Sequence, residues 1–163
     1  MNKIVILFFL IIIGLNASSQ QLTVPQLNDM LDWPSFRIDT ALKKKGYLLM
    51  QKDVDSNSAI YQYSWFDKQE DGEAVVRAFT YSDASVRDMK SRLVTYRTYN
   101  KEEYQAIASW LMAHNYHATA TYDFDEAKHT MYSNGTQTIR VKVITISPKN
   151  GKRYIAYELE LGK

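Results

Sequence analysis

The sequence predicts an α+β fold in which helices pack on one face of an antiparallel sheet. Helix capping signals and core-facing apolar stripes occur in two separate parts of the chain, whereas most of the remainder alternates apolar and polar residues as strands do. The pairs Asn134-Gly135 and Asn150-Gly151 are typical of the tight turns of β-hairpins, which join antiparallel strands.

The first nineteen residues have the pattern of a secretory signal peptide. An apolar run of ten residues follows a positive start at Lys3, and the small residues Ala17 and Ser19 then fit a cleavage site. The run is too short for a bilayer span, which takes roughly 20 apolar residues. We therefore expect residues 1–19 to be removed and residues 20–163 to form a single exported domain, periplasmic or secreted, with no membrane span.

Two helices are predicted at the start of this domain. Thr23 and Gln26 form a capping box for the first helix. The second helix follows Pro34 and ends in three lysines, 43–45, whose charges suit a helix C-terminus. Gly46 is its natural left-handed stop.

Four strands are predicted to follow these helices. They run over residues 47–52, 58–66, 73–81 and 91–99. Residues 82–90 fit either a strand or a helix, because their apolar residues match both spacings. The second strand alternates cleanly and places Tyr61, Tyr63 and Trp65 on one face.

A third helix and four more strands complete the predicted fold. Asn100 and Glu103 form a second capping box, and Asn115 ends the helix. The spacing i, i+3, i+4, i+7, i+8 predicts a core-facing stripe of Tyr104, Ile107, Ala108, Leu111 and Met112. Strands are predicted over 116–124, 129–133, 136–147 and 152–161, with alternate residues from Tyr116 to Phe124 inward.

An internal echo indicates two tandem α-then-β halves, 23–99 and 100–163. The pattern Ile38-x3-Leu42-x3-Gly46-Tyr47 is matched 69 residues later by Ile107-x3-Leu111-x3-Asn115-Tyr116. Each copy ends a helix in a residue that tolerates positive φ and then enters a strand led by tyrosine. Coincidence is the alternative explanation, because amphipathic helices look alike.

Two resemblances rest on these features. The segment Ser-Ser-Gln-Gln after the apolar run, the helix exit Leu-Lys-Lys-Lys-Gly-Tyr and the tyrosine-rich hairpins resemble small uncharacterised exported proteins of Bacteroidota. The tandem plan of helix and antiparallel sheet is similar in outline topology to the beta-lactamase inhibitor protein family, whose typical cysteines are absent here. Neither resemblance assigns a functional residue.

Composition and glycine positions exclude several classes of function. The formal net charge is only +2 over 163 residues, whereas a surface that follows a nucleic-acid backbone normally needs a clear excess of Lys and Arg. With no cysteine, the chain has no thiol nucleophile and no thiolate zinc site. The six glycines lie in the signal peptide, at a helix end, in three predicted turns and at the terminus. None remains for a phosphate-binding loop or a nucleophile elbow.

The three histidines give the strongest indication of a chemically active site. His114 and His117, with Asp123, Asp125 and His129 nearby, could form a metal or acid–base cluster. His117 and Asp123 lie six residues apart on one strand face, or about 20 Å, and so cannot share an ion. A hairpin would instead bring His129 beside His117. A small metal-dependent hydrolase using His117, Asp125 and His129 is therefore one hypothesis for the function.

The aromatic residues support a different hypothesis. The chain has 12 Tyr, 3 Trp and 6 Phe. Tyrosine suits the half-buried pleat of a sheet, but it is also enriched at binding surfaces. The sequence therefore predicts an exported, non-catalytic binding module without a cofactor. It would contact a protein or envelope component through an aromatic-bearing sheet face, with Tyr61, Tyr63 and Trp65 as contact residues. An inhibitor or immunity-type protein for an exported enzyme is a special case.

Overall fold

The computed structural model describes residues 21–69, 72–86, 89–147 and 153–163. The expected signal peptide and the turn predicted at Asn150-Gly151 lie outside the described residues. None of the helices in the described ranges has the length and hydrophobicity of a membrane-spanning segment.

Three helices and eight strands make up the described chain. The helices are α1 (Val24–Met30), α2 (Ser35–Lys44) and α3 (Lys101–Ala113). The strands are β1 (Leu48–Val54), β2 (Ser58–Gln69), β3 (Gly72–Val86), β4 (Met89–Thr98), β5 (His117–Phe124), β6 (Ala127–Ser133), β7 (Thr138–Ile146) and β8 (Tyr154–Gly162). The predicted antiparallel sheet with helices is confirmed, but the fold is predominantly β, with eight strands and three helices in the described ranges. The ambiguous segment 82–90 contributes to two of these strands.

All eight strands belong to one antiparallel sheet in the order β1-β2-β3-β4-β8-β7-β6-β5. Strands β1 to β4 are consecutive neighbours, and so are β5 to β8, while β4 pairs with β8 in the middle of the sheet. The edge strands are therefore β1 and β5, and each is exposed along its whole length.

One face of the sheet carries the core. Residues directly opposite each other in neighbouring antiparallel strands lie on the same face. The register from β2 to β7 places one buried row on this core face: Tyr63, Phe79, Tyr96, Leu159 and Val141. The helices add apolar side chains to the same buried cluster: Leu27, Met30, Ile38, Leu42, Ile107 and Leu111.

The opposite face, here called the open face, carries a different row. The register gives its members in order from β5 to β1: Tyr122, His129, Lys142, Glu158, Arg97, Ala78, Ser64 and Leu48. This row crosses all eight strands without a break. It brings an aromatic ring, an imidazole and three charged groups into one line.

The predicted start of α1 and the predicted ends of α2 and α3 are confirmed. Thr23 and Gln26 form the capping box of α1. Gly46 and Asn115 take positive φ values of 84° and 60°, as the left-handed ends of α2 and α3 require. The amides that follow them, of Tyr47 and Tyr116, each donate to the carbonyl five residues earlier at 3.0 Å. Both helices thus end in the same Schellman motif.

Two predictions about the second half of the chain are wrong. Tyr116, the first residue of the predicted inward row, is buried as expected, but the residues of β5 that follow it are not, because β5 is a sheet edge and all of its residues are exposed. The pairing with β6 also shifts between Ala118 and Ala120. This bulge puts His117 and Asp123, which the sequence places on one face, on opposite faces of the sheet.

Candidate binding cleft on the open face

The predicted contact residues Tyr61, Tyr63 and Trp65 lie on the core face. Tyr63 is only 2% exposed, and its hydroxyl donates to Asp39 at 3.2 Å. Tyr61 and Trp65 are half-buried and pack against the core cluster, with the Arg77 guanidinium 5.0 Å from the Trp65 ring. Tyr63 is too buried to contact a partner. The clean alternation of β2 therefore marks the side of the strand that faces the core.

Exposed aromatic rings lie instead on the open face, at the β5 edge. Tyr122 is 43% exposed and Phe124 is 69% exposed. His129 of β6 lies opposite Tyr122, and the two rings stack with centroids 5.0 Å apart and planes at 7°. The Phe124 ring meets the same imidazole edge-on at 6.1 Å. The sequence pattern had placed both exposed rings inward.

These rings line a cleft of about 480 Å³. We call it the aromatic cleft and define it by the residues that surround it: Arg97, Tyr122, Phe124, Asp125, Ala127, His129, Arg140, Lys142, Ile144 and Glu158. One wall is aromatic and aliphatic, and the other is charged. Asp125 and Glu126 form the turn between β5 and β6 with φ values of 49° and 58°. Two consecutive positive φ values are those of a type I′ hairpin turn, which fixes Phe124 beside His129.

The charged wall is a chain of ion pairs, here called the charge ladder. Arg97 donates through Nε and Nη2 to Oε2 of Glu158 at 2.9 and 2.6 Å. Lys142 Nζ donates to the other Glu158 oxygen at 2.8 Å and lies 3.0 Å from Glu160 Oε2. Arg140 Nη1 completes the ladder at 2.9 Å from Glu160. Positive and negative groups therefore alternate across β4, β8 and β7.

The ladder holds Glu158 and Lys142 in their charged forms. Burial raises the pKa of Glu158, but hydrogen bonds from Lys142 and Arg97 outweigh it and leave that pKa below its usual value. Burial lowers the pKa of Lys142, but its hydrogen bonds to Glu158 and Glu160 raise it above the usual value. Both side chains are therefore ionised at neutral pH.

Two buried polar atoms at the aromatic cleft lack a hydrogen-bond partner within the described chain, namely Nδ1 of His129 and Nε of Arg140. His129 is only 7% exposed, and its Nε2 lies 3.2 Å from the carbonyl oxygen of Phe124. A carbonyl only accepts, so Nε2 donates this hydrogen bond, and in the neutral form of the ring Nδ1 then presents a lone pair. Unpaired buried polar groups are rare in folded proteins, so this pair is the most unusual chemical feature of the cleft.

The residues of the metal hypothesis do not come together. Asp125 and His129 both line the aromatic cleft. His117 lies opposite Ser133, four residues along β6 from His129, which is about 13 Å at 3.3 Å per residue. Within the described residues, no group of three or more His, Asp or Glu side chains could hold a metal ion.

A second hollow, of about 550 Å³, lies at the end of the sheet beside α1. Two pairs of its polar side chains are already bound to each other. Lys163 Nζ donates to Asp32 at 2.6 Å, and Gln137 Nε2 donates to Asn28 at 2.7 Å. Arg140 lines both this hollow and the aromatic cleft, whereas His129 lines only the cleft. Among the described residues the aromatic cleft therefore has one more unpaired buried atom, and it is the stronger candidate site.

No protein-family model, curated protein or solved structure matches this chain.

Proposed function

We propose that the chain is a non-catalytic binding module that contacts a protein or another component of the cell envelope through the open face of its sheet. The observation that carries this proposal is the aromatic cleft, where two exposed rings, Tyr122 and Phe124, lie beside buried polar atoms that have no partner in the described part of the chain. Rigid aromatic rings give a large contact area at a low cost in conformational entropy.

Apolar exposure on this face extends beyond the cleft. Tyr154 lies opposite Ile146, and both line a further hollow of about 510 Å³ with Val75 and Tyr99. Tyr154 and Val75 are among the exposed large hydrophobic residues of the described chain. Large apolar groups that gather on one exposed surface are typical of an interaction site.

The charge ladder favours binding over proton transfer. A general acid or base works best with a pKa near the working pH. The pKa of Glu158 lies below its usual value and that of Lys142 above it, so both shifts move away from neutrality. Fixed, mutually neutralised charges suit the orientation of a ligand better than catalysis.

We also propose that the protein is exported. The signal-peptide pattern of residues 1–19 supports export to the periplasm or the medium.

We further propose that the fold consists of two tandem α-then-β halves with their helices packed on one face. The strand order supports this division, because two runs of four consecutive strands meet at β4 and β8. The matching Schellman motifs at Gly46 and Asn115 support the same division.

Site-specific photocrosslinking in the producing cell tests the binding function. A benzophenone amino acid is placed at position 124 and, in a matched strain, at position 36. Phe36 on α2 is the control, because it is the same residue type and is 72% exposed. We expect a discrete adduct from position 124 and none from position 36. Equal adducts from both positions, or no adduct from either, would contradict the proposal.

A further inference from the structure

We propose that the aromatic cleft is a saccharide-binding subsite, in which a sugar ring lies against Phe124 and Tyr122 and ring hydroxyls bond to His129 and Arg140. The inference rests on the proposed function and names the ligand class of the same site. Three features of the cleft support it: its charge, its unpaired atoms and the shape of its aromatic wall.

Charge favours a neutral ligand. The cleft and the ladder together hold three cations and three carboxylates: Arg97, Arg140 and Lys142 against Asp125, Glu158 and Glu160. Every cation of this set is bound to a carboxylate at 3.0 Å or less. A phosphate or a metal ion would meet no net attraction, whereas a neutral ligand would break no ion pair.

The unpaired atoms favour a hydroxyl group. Among the described residues, Nε of Arg140 is a donor without an acceptor, and Nδ1 of His129, an acceptor in the neutral ring, is without a donor. Leaving a buried polar group unpaired is energetically costly. A hydroxyl both donates and accepts, so a ligand with several hydroxyls can satisfy both atoms. An apolar ligand would leave both unsatisfied.

The aromatic wall favours a ring with a C–H face. Phe124 projects into solvent, and Tyr122 covers one face of the His129 imidazole. Nδ1 of His129 and Nε of Arg140 are both buried, so a ligand hydroxyl reaches them only when neighbouring side chains shift. Exposed side chains change rotamer within nanoseconds, so the exposed rings of this wall allow such a shift. One face of a pyranose ring is lined by C–H groups while hydroxyls project from its rim, which matches an apolar wall beside a polar one.

Binding is tested by calorimetry and by NMR of the purified protein with three probes: chitotetraose, maltotetraose and xylotetraose. Tetraglycine is the non-sugar control, because it offers amide donors without hydroxyls. We expect at least one saccharide to bind and to shift the His129 imidazole and Phe124 amide signals, with tetraglycine inert. Binding by none of the three saccharides, or equal binding by tetraglycine, would overturn the inference.

Variants locate the site. We expect Phe124→Ala to weaken saccharide binding about tenfold or more, which corresponds to 1.4 kcal/mol, and Phe36→Ala to change it less than about twofold. His129→Gln keeps a donor for the Phe124 carbonyl but moves the acceptor, now an amide oxygen, away from the position of Nδ1, and should weaken binding by up to about tenfold. Unchanged binding in Phe124→Ala and His129→Gln would place the sugar elsewhere and refute the assignment. Crosslinks at position 124 without any saccharide binding would refute only the ligand class and leave the binding function standing.

Discussion

Arg77 of β3 and Glu103 of α3 form an ion pair inside the protein. The Arg77 Nε lies 2.9 Å from Oε2 of Glu103, and the two side chains are only 10% and 3% exposed. Tyr96 and Thr98 donate their hydroxyls to the same carboxylate. Burial lowers the pKa of Arg77, but the charge of Glu103 raises it overall. One carboxylate thus ties the first turn of α3 to two strands of the sheet.

This arrangement corrects the predicted capping box of α3. Asn100 caps the helix as expected, since its side chain accepts from the Glu103 amide at 2.8 Å. The Glu103 side chain turns into the core instead of back to the cap. The local motif Asn-x-x-Glu does not reveal this outcome, because Arg77, which pairs with Glu103, lies on a strand 26 residues away.

Replacing Glu103 with alanine should destabilise the protein by about 3–5 kcal/mol, because it leaves the Arg77 guanidinium buried without its counter-charge. The matched control is Glu102→Ala, which removes an exposed carboxylate from the same turn of α3. We expect that control to change stability by less than about 0.5 kcal/mol. Urea unfolding followed by circular dichroism measures both. Equal stabilities of the two variants would show that the buried pair is not structural.

Tyr63→Ala and Tyr122→Ala should separate the two roles of tyrosine in this sheet. Tyr63 is buried against the core, so we expect its loss to cost about 3–5 kcal/mol, the range for a large buried aromatic. Tyr122 is half-exposed on an edge strand, and its loss should cost less than about 1 kcal/mol while removing the stack on His129. The free energy of unfolding of each variant measures the difference, and a reversed order would contradict the assignment of Tyr63 to the core and of Tyr122 to the exposed edge.

The fold is largely predictable from the sequence because its signals are local. Caps such as Thr23, stops such as Gly46 and Asn115, and the turn at Gly135 each act within a few residues, and the structure confirms them. Segment 82–90 is settled only by pairing across the sheet, which extends β3 to Val86 and begins β4 at Met89.

The site is less predictable than the fold. Alternation in a strand shows which residues share a face, but it does not show whether that face meets the core or solvent. Tyr63 and Phe124 therefore lie in similar sequence patterns. Their difference arises from strand order, which puts β2 inside the sheet and β5 at its edge. The bulge after Ala118 then decides which residues share a face with His129. No residue pattern of β5 alone contains this information.

We expect acid to lower the free energy of unfolding of the protein by protonating Glu158. Its pKa is lower in the folded protein than in the unfolded chain, so the unfolded state binds the proton more readily. The stability that Glu158 contributes is complete above its unfolded pKa of about 4.5 and is lost as the pH falls through its lower folded value. Unfolding free energies between pH 7 and pH 3 measure this loss.

The variant Glu158→Gln isolates that contribution. It should cost about 1–3 kcal/mol at pH 7, because Arg97 and Lys142 lose a charged acceptor but remain partly exposed to water. Its stability should then fall less steeply below pH 4.5 than that of the wild type. Parallel pH profiles for the two proteins would mean that another carboxylate governs the acid transition.

Exchanging the residues that end α2 and α3, Gly46 and Asn115, tests whether the two helix ends have the same backbone requirement. Gly46 takes φ of 84°, and a Cβ added there would lie 3.4 Å from Nε1 of Trp65, so Gly46→Ala should cost about 1–2 kcal/mol in backbone strain. Gly46→Asn should cost less, because asparagine tolerates the left-handed region and already serves at Asn115 with φ of 60°. The reciprocal change Asn115→Gly should be neutral or slightly stabilising, since glycine adopts this conformation without a Cβ penalty. Thermal unfolding of the three variants measures the series. If Gly46→Asn proves as costly as Gly46→Ala, the contact with Trp65 and not the φ value sets the requirement at this position, and the two Schellman motifs are equivalent in hydrogen bonding only.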